Sequence, residues 1–129
     1  MKMVGLAMGA GCAYVADMAS RGPGRRVLEA AVGLIAAAAV YPLARRRAGI
    51  DWLEAVALLT ASGLALSEVK RPGRRSRILL GLGWIGHALF DATFRHDAAA
   101  TRLPRWYPAF CAGFDVAYGA RLICTGASE

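Results

Sequence analysis

The residues of this 129-residue chain best suited to chemistry are His87, Asp91 and Asp115. His87 and Asp91 stand four apart, so on a helix they share one face, and Arg95 follows at the next step. Asp115 lies in a later apolar stretch with Cys111 one helical turn before it, and His96 stands beside Asp97. Imidazole and carboxylate are ligands for Zn or Fe, and an i,i+4 pair can grip one ion. The same groups can relay protons, with an imidazole titrating near neutral pH, or fasten two helices by hydrogen bonding.

The elements that carry these residues are apolar. Five stretches, 3–19, 27–43, 50–69, 78–94 and 106–124, each run about 17 to 20 residues, which as helix is about 25–30 Å, enough to cross a hydrocarbon core. In 32–40 the apolar residues run all round the helix, as suits a lipid-embedded segment. Lipid offers no partner to unpaired backbone groups, so helices are the expected element. The predicted fold is all-α: a polytopic transmembrane bundle of five short spans forming one domain, with four spans as the alternative if the first stretch does not cross. An ionisable group at bilayer depth costs about 2.5–3.5 kcal/mol on insertion scales. His87, Asp91 and Asp115 are therefore functional candidates by position as well as by type.

Composition supports this reading. The chain is 57 % hydrophobic and 19 % charged with a net charge of +7, more apolar and less charged than ordinary soluble domains. Its cations are bunched at Arg21/Arg25/Arg26, Arg45–Arg47, Lys70–Arg77 and Arg95/Arg102/Arg105. A nucleic-acid surface spreads them over one face, whereas confinement between apolar stretches suits loops anchored on lipid phosphate. The expected partners are the bilayer and its anionic headgroups, not nucleic acid; short helices with a small core also suit a homo-oligomer. Arg21-Gly-Pro-Gly-Arg-Arg26 and Lys70-Arg-Pro-Gly-Arg-Arg75 join helix breakers to cations. Asp51 with Glu54 reads as an N-cap and acidic first turn. Trp106 and Tyr107 read as an aromatic belt, with Pro108 in a first helical turn.

Five spans put nine cations on the side of loops 21–26 and 70–77 and seven on the other; four spans make the split ten to six. Either way the C-terminus is expected in the cytoplasm, with the chain in a bacterial inner membrane.

The loop of about eleven residues between the last two stretches favours antiparallel neighbours. Folding the chain about residue 100 sets His87 level with Gly113–Asp115 and Asp91 level with Ala109. If the faces also match, His87, Asp91 and Asp115 form one buried cluster edged by Cys111. Three uses are open to it: a structural clasp, a divalent metal site that adds His96, or a proton or ion path. The corresponding functions are a small membrane module organised by the cluster, a membrane-embedded metal-dependent enzyme on an apolar or lipid substrate, or proton or ion transport. No cofactor other than a divalent metal ion is suggested.

Trp84-x-x-His87-x-x-x-Asp91, then His96, then Cys111-Ala-x-x-Asp115 resembles a functionally uncharacterised family of small multi-span bacterial membrane proteins. The resemblance covers about the last 45 residues and implies the membrane class and these residues, with no activity to carry over. The family pattern has a His pair after the Asp; here Phe94 and Arg95 precede a single His96, which weakens a His-rich metal site.

Other signals are discounted. Gly81-Leu-Gly-Trp-Ile-Gly86 matches a dinucleotide fingerprint but lacks a βαβ unit around it. Gly5-x-x-x-Gly9 in the first stretch is kept, as a small-residue spacing, short and common, that lets helices approach closely in membranes. Cys12, Cys111 and Cys124 form no metal or redox spacing and suit buried thiols. Ser62 and Thr60 lack the partners of a nucleophile system.

Overall fold

A computed structural model describes residues 2–46, 48–93 and 101–127. Over these residues the chain is all-helical: α1 (Lys2–Ala19), α2 (Pro23–Ala44), α3 (Trp52–Val69), α4 (Arg74–Thr93) and α5 (Tyr107–Ala127). Their bounds follow local chemistry. Gly22, at φ 84°, breaks the chain before α2, whose first residue is Pro23, as a missing N–H and preset φ favour. The Asp51 side chain accepts from the Leu53 and Glu54 backbone N–H groups and so caps α3. Pro108 falls in the first turn of α5. Two helices, α2 and α3, are long and apolar enough to cross a membrane; α1, α4 and α5 fall short by that measure.

α5 lies between α1 and α4, α4 also touches α2 and α3, and α2 packs on α3. Small residues set the closest approaches. A Cβ on Gly9 would stand 2.0 Å from the Phe110 carbonyl oxygen, and one on Gly113 would stand 2.2 Å from that of Leu6. The Gly5-x-x-x-Gly9 spacing thus seats α1 on α5. Gly81 and Gly119 play the same part between α4 and α5, each with a would-be Cβ 2.6 Å from the other's carbonyl oxygen. Gly81-x-Gly-x-x-Gly86 is accordingly a stretch of packed helix rather than a phosphate loop.

The core is centred on Trp84. Its indole N–H donates to the Ala30 carbonyl of α2 at 3.1 Å, and its ring meets Tyr118 edge-on at 5.3 Å and Phe114 at 5.5 Å. The indole is thereby packed with its polar tip paired, as burial requires.

Two expectations are corrected. Cys12 and Cys124 are exposed on α1 and α5, and Cys111 alone of the three is partly covered; the inward face of α1 runs through Gly5, Gly9, Ala13 and Asp17 and that of α5 through Gly113, Tyr118, Leu122 and Gly126, which leaves Cys12 and Cys124 off both stripes. Arg77, grouped with the headgroup anchors, belongs to α4 and is 1 % exposed, because the helix starts at Arg74 and turns that position toward Gly126 of α5.

Candidate functional site

The inward stripe of α4 runs through Leu80, Trp84, His87, Ala88 and Asp91, and that of α5 through Gly113, Asp115, Tyr118 and Leu122. Where the two stripes meet, His87 Nδ1 lies 2.8 Å from Asp115 Oδ2 and 3.9 Å from Asp91 Oδ2. His87 and Asp91 are each 8 % exposed and Asp115 2 %. The three side chains can each present one ligand atom with all such atoms within 4.8 Å of one another. Depth matching and face matching, the two conditions for convergence, are both met.

The surroundings are mixed in polarity. The Tyr41 phenol of α2 lies beside the Asp91 carboxylate. Cys111 is half-buried one turn from Asp115 and lies against the Tyr107 hydroxyl, so its thiol edges the cluster without being one of the converging ligand atoms. His96, the fourth proposed metal ligand, lies outside the described residues.

With Asp115 ionised, and so acceptor-only, the 2.8 Å contact is made by a proton on His87 Nδ1. A tetrahedral Zn site with arms of about 2.0–2.1 Å sets neighbouring ligand atoms about 3.3 Å apart. The two His87 distances, 2.8 and 3.9 Å, straddle that value. Bringing those two distances to that value asks for shifts of about half an ångström, the Asp91 and Asp115 ligand atoms lie within 4.8 Å of each other, and three ligands leave one of four coordination positions open.

Two further ionic groups escaped sequence reasoning. Asp17 of α1, 1 % exposed, takes Arg121 Nε of α5 at 2.6 Å and has Arg26 Nε of α2 at 3.4 Å. Arg121 also lies over the Tyr14 ring at 4.7 Å. A signal was present: Gly5, Gly9, Ala13 and Asp17 follow one another at four-residue steps on the buried face of α1. At the opposite end of the bundle Arg45 bonds Glu54 and pairs with Asp51 at 3.4 Å. Arg45 also forms an antiparallel bridge with Thr101. Glu54 keeps the Arg45 guanidinium more strongly protonated than usual.

Comparison with protein-family models, curated proteins and solved structures returns no match. Function is therefore argued from the site.

Proposed function

We propose that this chain is a polytopic membrane protein, all five helices crossing the bilayer, whose His87, Asp91 and Asp115 cluster binds one divalent transition-metal cation. The observation that carries the reading is an inverted polarity. Arg77, Asp17, His87, Asp91 and Asp115 are buried, while Met3, Val15, Val32, Leu59 and Leu89 stand exposed on the outer faces of α1 to α4. Such a surface is costly in water and natural in lipid, where charges pair inside the bundle. α2 and α3 meet the length and apolarity of a span on their own. α1, α4 and α5 dilute their apolar content with the glycines and charged residues that their contacts require.

The cluster then has two states of one site. Protonated at Nδ1, His87 clasps α4 to α5 through Asp115; with the proton replaced by a cation, the same three side chains become ligands. A site with one nitrogen, two oxygens and an open position suits Zn-type Lewis-acid chemistry on an apolar substrate. The likeness to the small multi-span family, the bacterial inner-membrane location, a cytoplasmic C-terminus, headgroup contacts at the arginine clusters and self-association belong to the same proposal.

The test is metal analysis of the full chain purified in detergent, after washing of its membranes with alkaline carbonate. Retention in the membrane and about one Zn per chain, lost in His87→Ala and Asp115→Asn, are expected. Release by carbonate removes the membrane reading, and a chain that takes up no metal when titrated with Zn, Fe or Mn removes the cation reading.

A further inference from the structure

Where α1 and α5 begin and α2 and α4 finish, the bundle holds a cavity of about 350 Å³, at the small end of ligand sites, which run about 300–1,000 Å³. Leu6, Leu103, Pro108 and Ala112 contribute to mainly apolar walls. Lys2 and Arg105, both exposed, line it as well, whereas Asp91, buried, belongs at once to the cavity lining and to the His87 cluster. The exposed charges of the lining are thus both cationic, the buried one is the Asp91 carboxylate, Tyr41 and Thr101 add neutral polar groups, and the remaining walls are apolar.

One wall is the segment 101–105, and it is fastened. Its Thr101 bridges Arg45, the Arg102 N–H donates to the Ala44 carbonyl at 2.9 Å, and Arg46 Nε donates to the Thr101 carbonyl at 2.9 Å. The Tyr107 N–H donates to the Pro104 carbonyl at 3.0 Å, joining the segment to α5.

Charge and polarity together select the occupant. Two cations disfavour a free metal ion entering by this route alone. A neutral hydrocarbon gains nothing from them, and free phosphate gains nothing from the apolar walls. A molecule with a phosphate headgroup and short apolar chain segments uses both. We propose that this cavity binds a phosphate-bearing amphiphile, with Lys2 and Arg105 on the phosphate and the first chain carbons against the walls. The inference rests on the membrane reading above and adds the class of molecule presented beside Asp91.

The experiment is thermal melting of the full chain in nonionic detergent, followed by tryptophan fluorescence, with three probes: dihexanoyl phosphatidic acid, dihexanoylglycerol and inorganic phosphate. A saturable rise in melting temperature with phosphatidic acid alone is expected, and Lys2→Gln/Arg105→Gln weakens its apparent affinity about tenfold or more, as loss of charge-assisted phosphate contacts does. Ala92→Trp, at an exposed position lining the cavity, fills it and gives the same loss. An equal rise with dihexanoylglycerol or with inorganic phosphate overturns the proposal, as does an undiminished response in both variants. Uptake of Zn, Fe and Mn is measured in parallel. A wild-type chain that takes Zn and ignores all three probes overturns this inference and leaves the cation reading standing. A chain that responds to phosphatidic acid alone and takes up none of Zn, Fe or Mn supports the inference and removes the cation reading.

Discussion

His87 Nδ1 and Asp115 Oδ2 meet at 2.8 Å across α4 and α5 although 28 residues separate them in the chain. The contact fixes the rotation of both helices at once, since a turn of either by one residue, about 100°, carries its partner out of reach. It also places in the interior two polar groups that the apolar core cannot satisfy singly.

Removing one partner therefore strands the other. His87→Ala is expected to lower stability by about 1–3 kcal/mol, the penalty of leaving a buried polar group unpaired. Asp115→Asn keeps a carbonyl oxygen as acceptor and loses less. Thermal melting in detergent checks both; unchanged melting in both variants contradicts the clasp.

Gly9 and Gly11 separate packing from propensity within one helix. A methyl at Gly9 meets Phe110 backbone at 2.0 Å, whereas a methyl at Gly11 meets nothing within 4 Å. Gly9→Ala is expected to cost about 1–3 kcal/mol by overpacking. Gly11→Ala is expected to stabilise by about 0.5–1 kcal/mol, because alanine replaces a flexible residue in a helix. Equal melting temperatures for the two variants would show that α1 does not sit on α5 in this register.

Asp17 and Arg121 are unequal partners. The Asp17 side chain is 2 % exposed and that of Arg121 38 %, so Asp17→Ala strips the anion from two arginines, while Arg121→Ala leaves Asp17 with Arg26 at 3.4 Å. The expected order of destabilisation is Asp17→Ala, at about 1–3 kcal/mol, then Arg121→Ala, read from melting curves of both single variants and of the double variant. The double variant should fall short of the sum, since the two changes remove one shared contact. Strict additivity contradicts the pairing.

The α3 cap carries a pH dependence. The Glu54 backbone N–H, with Leu53 N–H and Arg45, holds the Asp51 carboxyl below the usual carboxylate range. A folded-state value below the unfolded one contributes stability that is present above the unfolded value and lost as pH falls through the folded one. The melting gap between wild type and Asp51→Ala should thus be open at neutral pH and narrow below about pH 4. A gap that stays constant down to pH 3 would show that ionised Asp51 contributes nothing through its charge.

What was local could be read from the chain. Apolar runs, the Gly22 break with Pro23 opening α2, the Pro72-Gly73 break before α4, the Asp51 cap and the Pro108 start are each set by neighbours in the chain, so the five helices fall close to the five apolar stretches. The His87 and Asp91 pair was legible for the same reason, because a four-residue step is a property of one helix. Asp115 could be matched in depth from loop length alone, but its azimuth could not.

Tertiary structure decided which faces meet. Sequence periodicity names a stripe on a helix without saying which neighbour it touches. The pairing of Asp17 with Arg121, 104 residues away, the inward turn of Arg77 and the exposure of Cys12 and Cys124 all depend on where glycines let backbones approach. The helices and the types of residue available for chemistry are thus written in the sequence. The cluster itself, its cavity and its ionic locks come from close packing, which is a relation between helices and not a property of any one of them.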